Sequence, residues 1–199
     1  MFPELFRDDV FRIETRRLWL RWPSARDEGA IERLAGDEAV AAMTRSVPHP
    51  YPKGGAGSFI YGARVENAQG SALNFALAPV SRPHEMIGFI GLRDEAGAPT
   101  LGYWLGRPHW GRGLMSEAVD ALVGTAFRFA DLDSVTAQAR IDNPASRRVL
   151  EKSGFAQTEE RVVDCPLRGG AFPSAVYLRM RDGAASHPPR WRDDRLVAR

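Results

Sequence analysis

Two glycines placed two residues apart, Gly111 and Gly113, form the part of this sequence best suited to bind a ligand. They follow an apolar stretch that ends at Leu105 and Gly106, and they precede a helical pattern that begins at Leu114. Glycine permits unusual backbone dihedrals and close ligand approach. The first N–H groups of a helix have no intrahelical partner and carry a partial positive charge. This strand–loop–helix order predicts an anion site for a phosphate or diphosphate.

Neighbouring residues narrow the kind of anion site. Arg112 and Arg107 could add charge-assisted hydrogen bonds to a bound anion. No Gly-Lys-Ser/Thr follows the glycines, which excludes a Walker loop. Ser116 and Glu117 stand near where the third glycine of a dinucleotide fingerprint would fall. A tight turn without a ligand is the competing explanation of the two glycines.

A second stretch, residues 143–154, carries clear signals for the start and the end of a helix. Asn143 suits the N-cap and Pro144 the first turn. Gly154 is placed to end the helix. Ser146 then lies in the first turn of this helix.

These residues sit within a pattern of alternating strands and helices. We predict seven strands, at residues 16–22, 73–80, 86–93, 99–106, 134–141, 155–165 and 172–181. We predict helices near residues 24–36, 37–43, 56–68, 113–130 and 143–154. Short connections between the early strands indicate an antiparallel meander, and the later order is strand–helix–strand–helix–strand. The fold class is therefore α/β (α+β), a mixed, mostly antiparallel twisted sheet with helices on both faces.

The domain organisation follows from length and composition. The 199 residues suffice for one domain with a sizeable core. We interpret residues 1–14 as an N-terminal arm, 15–183 as the single domain and 184–199 as a polar, proline-containing tail.

The motifs resemble those of the GNAT superfamily of acetyltransferases, most closely the branch of the ribosomal-protein N-terminal (alanine/serine) acetyltransferases. The glycine loop and the start of its helix, residues 110–118, resemble the family's acetyl-CoA motif. Residues 15–21, 102–105 and 143–155 resemble its first strand, its fourth strand and its Asn-x-x-Ser helix. The resemblance spans about residues 15–180. Pro108 stands where the family usually has Gln or Arg.

The resemblance implies an acetyl-CoA (coenzyme A) cofactor, a splayed fourth strand that binds it and direct attack by an amine. It implies cofactor contacts from Trp104, Leu105, Gly106, Trp110, Gly111, Arg112, Gly113, Leu114, Met115, Asn143 and Ser146. It also implies a catalytic role for Ser146, as the acid that protonates the leaving thiolate, and for Tyr103, on the strand whose backbone would stabilise the oxyanion.

The general base is harder to place. Some relatives carry a Glu near Thr100 or Gly102, and neither residue is acidic here. Glu159, Glu160 and Asp164 on the next strand are alternatives, as is a chain of water molecules. A site without a base favours an α-amine, because deprotonation at pH 7 costs about 1 kcal/mol for an α-amine and about 4.6 kcal/mol for a lysine.

Composition restricts the partners and the compartment. A net charge of +2 is too small to predict a nucleic-acid surface. No apolar run approaches the ~20 residues that span a bilayer. The single cysteine, Cys165, excludes an intramolecular disulfide and fits a reducing compartment. The four histidines share no ligand spacing, so we predict no metal site. We expect a cytoplasmic monomer or homodimer.

Three functions are compatible with these observations. The first is N-acetylation of a protein N-terminus. The second is the same chemistry on a small amine, such as an amino acid, polyamine or aminoglycoside. The third is a non-catalytic acyl-CoA-binding module.

Overall fold

The computed structural model describes residues 11–95 and 97–183, which form one eight-stranded sheet flanked by helices. The strands follow the order β1-β2-β3-β4-β5-β6-β8-β7. Their bounds are Arg12–Glu14 (β1), Leu18–Arg21 (β2), Ala72–Pro79 (β3), Gly88–Glu95 (β4), Ala98–Leu105 (β5), Ser134–Arg140 (β6), Ala156–Cys165 (β7) and Gly170–Met180 (β8). The helices are Glu28–Ala35 (α1), Glu38–Ala41 (α2), Gly55–Gln69 (α3), Leu114–Phe129 (α4) and Pro144–Lys152 (α5).

All strand pairs in the sheet are antiparallel except one. Strands β5 and β6 run parallel, with α4 as the crossover between them. A parallel pair needs such a crossover because the chain must return to the same end of the sheet. This connection places the start of α4 at the end of β5, as the sequence predicts.

Two apolar clusters lie on opposite faces of the sheet. The larger packs α4 and α5 against one face, and the smaller packs α1, α2 and α3 against the other. Strand β5 contributes to both, because successive side chains point to opposite faces. Leu101 and Leu105 belong to the larger cluster, and Trp104 belongs to the smaller. The predicted mixed sheet with helices on both faces is confirmed.

The structure has one strand more than the sequence predicts. Strand β1, Arg12–Glu14, lies in the segment predicted as an arm and pairs with β2. The strand predicted at 16–22 begins only at Leu18, because Thr15 makes a turn in which its N–H donates to the Leu18 carbonyl at 2.8 Å. A three-residue edge strand carries too little periodicity to be recognised in sequence. Most of the predicted arm (1–10) and the whole predicted tail (184–199) lie outside the described residues.

No helix in residues 11–95 and 97–183 is long and apolar enough to cross a membrane.

Candidate active site

The sheet opens between its two parallel strands. Only Thr100 with Thr136 and Leu101 with Ala137 are paired between β5 and β6. Beyond Leu101, β5 stays paired with β4, while β6 stays paired with β8 up to Arg140. The edge of β5 that faces β6 therefore has no strand partner over residues 102–105. A cleft of about 1000 Å³ lies at this opening. The predicted splay of the sheet is confirmed.

The glycine loop forms one wall of the cleft. Gly111 and Gly113 have φ values of 74° and 68°, a left-handed conformation that other residues adopt at a cost of roughly 1–2 kcal/mol. Gly113 is the N-cap of α4 and has no side chain to cap the helix. Within the described chain, the N–H groups of residues 112–116 donate no hydrogen bond, and the first helical bond is from Glu117 N–H to the Gly113 carbonyl. These free donors line the cleft.

A hydrogen-bonded network fastens the back of the loop to the start of β2. Arg17 donates from its backbone N–H at 2.8 Å and from its Nε at 2.6 Å to the Glu117 carboxylate. Thr15 Oγ1 donates to the same carboxylate at 2.6 Å. Arg17 Nη1 also donates to the Arg112 carbonyl at 2.9 Å. The network thus connects the first turn of α4 and the glycine loop to the segment just before β2.

The Glu117 carboxylate is held in its charged form by this network. Burial alone would raise the pKa of Glu117. The hydrogen bonds from Thr15 and Arg17, together with the Arg17 charge, outweigh burial and lower the pKa. Sequence analysis did not identify this contact, because Arg17 and Glu117 are 100 residues apart. The only signal was that both lie in motifs of the resembled family.

The residues predicted to contact the cofactor at and just after the end of β5 differ in how they lie relative to the cleft. Trp110, which is 43% exposed, donates its indole N–H to the Leu105 carbonyl at 2.6 Å and lines the cleft. The Trp104 side chain is buried in the smaller cluster. Gly106 does not line the cleft, and its N–H donates to the Ile87 carbonyl at 2.9 Å. A Cβ on Gly106 would lie 3.0 Å from the side chain of Leu34, so close packing against α1 explains this glycine.

Arg112 and Arg107 also differ in position. Arg112 lines the cleft beside the free amides. Arg107 does not line it and forms an ion pair with Asp37 at 3.3 Å. His109 lies on the same loop, and its pKa is lowered by burial and then by the nearby charges of Arg112 and Arg82, against an opposing effect of Glu85. The positive field at the loop therefore comes from Arg112 and the helix amides.

Two hydroxyl groups lie within hydrogen-bond distance of each other on the wall of the cleft opposite the glycine loop. Tyr103 Oη and Ser146 Oγ lie 2.8 Å apart, and the Tyr103 hydroxyl also lies 3.3 Å from the Ser146 carbonyl. Burial raises the pKa of Tyr103, and the hydrogen bond with Ser146 offsets this only in part. Tyr103 therefore stays protonated at neutral pH. The structure brings together the two residues predicted as catalytic.

Asn143 acts as the N-cap of α5. Its Oδ1 accepts a hydrogen bond from Ser146 N–H at 3.0 Å, and the residue lines the cleft. The cap holds Ser146 in place because it bonds to that residue's own backbone.

The carboxylates of the cleft are not the ones considered from sequence. Glu159, Glu160 and Asp164 are exposed on β7 and do not line it. Among the described residues, three other carboxylates do, namely Glu66, Glu95 and Asp142.

Two of these three carboxylates form ion pairs. Glu95 accepts from Arg45 at 2.8 Å. Asp142 accepts from Arg140 Nε at 2.8 Å, and this hydrogen bond is the main cause that lowers the pKa of Asp142. Across residues 11–95 and 97–183, no group of three or more metal-ligating side chains is placed to hold a metal ion.

The cleft suits an elongated ligand with an anionic group. Free amides at a helix N-terminus and the Arg112 guanidinium suit a diphosphate. The unpaired edge of β5 offers backbone groups to a linear amide-containing arm. A Cβ built on Gly111 meets nothing within 4 Å, so the space above the loop is open. The volume is at the upper end of the range for small-molecule sites, about 300–1,000 Å³. Fold and site together define an α/β protein with a cofactor cleft between two splayed parallel strands.

Comparison with known proteins gives the family. Residues 17–156 match the acetyltransferase (GNAT) domain family. The chain is 34% identical over 90 residues to the uncharacterized N-acetyltransferase p20 of Bacillus licheniformis, covering 44% of this chain and 50% of that protein. It is 36% identical over 79 residues to the ribosomal-protein-serine acetyltransferase of Escherichia coli (strain K12), covering 38% and 44% respectively. The matched region thus covers about half, or less, of the length of each of these relatives.

A solved structure shares the fold. The ribosomal L7/L12 alpha-N-protein acetyltransferase RimL, in complex with coenzyme A, superimposes with a TM-score of 0.76 at 22% identity, covering 86% of this chain and 99% of that one. The chain belongs to the GNAT acetyltransferase family.

Proposed function

We propose that this protein transfers an acetyl group from acetyl-CoA to a primary amine, with an α-amine as the favoured acceptor. One observation carries the proposal: the unpaired edge of β5 leads directly to the free amides at the start of α4. A ligand with a diphosphate at one end and a linear arm at the other matches that path. The amides of residues 112–116 and Arg112 would hold the diphosphate, and the edge of β5 would hold the arm.

The chemistry that acetyl-CoA supplies is an activated acetyl group on sulfur. In the transfer, a bond forms between the amine nitrogen and the acetyl carbon while the carbon–sulfur bond breaks. The nitrogen loses one proton and the sulfur gains one, so the reaction balances without any other reactant. Holding both reactants in one cleft removes the entropic cost of their encounter.

We assign the delivery of a proton to the sulfur to the Tyr103–Ser146 pair. The two hydroxyls lie 2.8 Å apart, and either can donate to the other. When Tyr103 donates, the Ser146 hydroxyl proton is free to point toward the cleft. A thiol has a pKa of about 8.5, so a thiolate is already a fair leaving group at neutral pH. The proton therefore assists the reaction modestly.

Two arguments favour a protein N-terminus as acceptor. The relative in Escherichia coli is named for acetylation of a ribosomal protein. An α-amine with a pKa near 7.7–8.0 also has a neutral fraction of roughly one tenth at pH 7, whereas a lysine with a pKa of about 10.4 has a neutral fraction below about one in a thousand. A small amine is the alternative acceptor within the same reaction class.

Release of free thiol tests the proposal. The protein is incubated with acetyl-CoA and a panel of Ser- and Ala-initiated peptides, lysine-containing peptides with blocked N-termini, and small amines. We expect thiol release with the α-amine peptides and little with blocked ones. Thermal stabilisation by CoA without turnover of any amine would support a binding module. The proposal fails outright if CoA does not stabilise the protein.

A further inference from the structure

One carboxylate of the cleft, Glu66, has no assigned role. It lies in the last turns of α3, where Phe59, Gly62, Ala63 and Glu66 follow the spacing of one helical face. All four residues line the cleft. Glu66 is the charged member of an otherwise apolar face turned toward the sheet. Charged residues rarely occupy such positions unless they are paired.

Glu66 is held by an amide and not by a cation. Asn74 Nδ2 donates to Glu66 Oε2 at 2.7 Å. No arginine or lysine in the described part of the chain forms an ion pair with Glu66, whereas Glu95 pairs with Arg45 and Asp142 with Arg140. The Glu66 carboxylate thus has no cationic partner among the described residues and keeps free lone pairs at the cleft.

Asn74, which binds the Glu66 carboxylate, is itself held in place by several hydrogen bonds. The residue is 1% exposed, and Asn67 binds both its backbone N–H and its carbonyl. Its Nδ2 is committed to Glu66 and to the Ala63 carbonyl. Its Oδ1 is buried and accepts no hydrogen bond from the described residues. With its backbone and its Nδ2 bound, Asn74 fixes the position of the Glu66 carboxylate.

Beyond Asn74, the floor of the cleft lacks side chains. Asn74, Gly91 and Gly102 are aligned in one row across β3, β4 and β5. A Cβ on Gly91 would lie 2.8 Å from Asn74 Oδ1, so the amide oxygen reaches over Gly91. A Cβ on Gly102 would meet nothing within 4 Å. The row therefore leads from the Glu66–Asn74 pair to the opening beside β5, one strand spacing of about 4.8 Å per step.

The geometry points to Glu66 as the residue that binds the amino group of the acceptor, with Asn74 holding its carboxylate in place. The inference rests on the proposed function, because it identifies where the acceptor amine binds beside the opening between β5 and β6. An amine is the matching ligand, since it presents several N–H donors and, when protonated, a positive charge that a carboxylate attracts. A carboxylic acid or phosphate would be repelled.

Binding to CoA-loaded protein tests this subsite apart from turnover. The probes are the tripeptide Ala-Ala-Ala, 1,4-diaminobutane and N-acetylated Ala-Ala-Ala. Saturation-transfer NMR measures the binding of each probe to the protein. The substitution Glu66→Gln preserves the shape of the side chain and an oxygen for Asn74. We expect it to weaken binding of the free amine probes at least tenfold, to leave CoA binding unchanged and to lower kcat/KM mainly through KM.

The matched control is Glu95→Gln, which changes a cleft carboxylate that already has a cationic partner. We expect this variant to bind the probes as the wild type does. Equal binding by the wild type and Glu66→Gln would overturn the subsite, even if acetyl transfer is observed. Binding that depends on Glu66 but leads to no thiol release would uphold the subsite and refute the acetyltransferase activity. Failure of the wild type to bind any free amine would overturn the inference.

Discussion

The hydroxyls of Tyr103 and Ser146 lie 2.8 Å apart, which makes their proton chemistry testable by single substitutions. We expect Ser146→Ala to lower kcat on the order of tenfold, less than general acids usually contribute, because the thiolate leaves readily. The loss should shrink above pH 8.5, where a thiol no longer needs a proton. Rate profiles against pH at saturating substrates measure this. Ser81→Ala, at an exposed position, serves as the control. An unchanged kcat in Ser146→Ala would contradict the role of Ser146 as the acid.

The Glu117 network predicts a stability effect with a defined pH dependence. Its pKa is lowered in the folded protein, so the network stabilises the fold above the ordinary pKa of a glutamate, about 4.3, and is lost as pH falls through the lower folded value. We expect Glu117→Gln to reduce the free energy of unfolding at pH 7 by about 1.5–3 kcal/mol, as for hydrogen bonds to charged groups. Urea unfolding at pH 7, 5 and 3 measures the difference between the variant and the wild type.

The control for Glu117 lies one turn further along α4. Asp120 forms an exposed ion pair with Arg179 at 3.3 Å, so Asp120→Asn should cost no more than about 1 kcal/mol. A Glu117→Gln difference that persists unchanged at pH 3 would show that the carboxylate charge is not responsible.

Residue-level prediction from sequence succeeded where the signal was local. Asn143 and Ser146 stand within one turn of each other, and the capping rule alone places both at the start of α5. The Arg17–Glu117 contact and the Glu66–Asn74 pair were not predicted. A glutamate on a helix is usually solvated, and nothing in its neighbours reveals that the helix turns it toward the sheet.

At the scale of elements, the loop between β5 and α4 depends on backbone conformation. We expect Gly113→Ala to destabilise the fold by roughly 1–2 kcal/mol, because φ is 68° there, and to weaken CoA binding. Gly111→Val and Gly113→Val should weaken CoA binding at least tenfold by obstructing approach to the amides. Calorimetric titration with CoA and urea unfolding measure the two effects separately.

A glycine inside α4 provides the control. Gly124 has open space at its Cβ position and sits in the helix interior, so Gly124→Ala should raise stability by about 0.5–1 kcal/mol without changing CoA affinity. Wild-type CoA affinity in both valine variants would show that the diphosphate does not bind at this loop.

The elements themselves were largely predictable, because β5, α4 and α5 each carry a clear period and clear end signals. The opening between β5 and β6 was predicted only from the resemblance to a family. Propensity and periodicity report on a strand's own residues, and they do not tell how far its pairing with a distant strand continues. For the same reason, sequence analysis did not show that Gly106 packs closely against α1.

At the scale of the whole molecule, the cleft divides the sheet into two parts, β1 to β5 and β6 to β8, that are joined by only two residue pairs between β5 and β6. A ligand that contacts the β5 edge, the start of α4 and α5 should therefore stabilise the entire fold. At a CoA concentration 100 times its Kd, linkage gives about 2.7 kcal/mol. For a domain of this size that corresponds to a rise in Tm of roughly 5–10 °C.

Calorimetric unfolding with and without CoA measures this rise. The shift should be the same in Glu66→Gln, which alters only the acceptor side, and smaller in Gly113→Val at the same CoA concentration. AMP, which lacks the diphosphate and the pantetheine arm, should stabilise less than CoA at equal concentration because it cannot reach the β5 edge. Equal stabilisation by AMP and CoA would mean that the opening between β5 and β6 takes no part in binding.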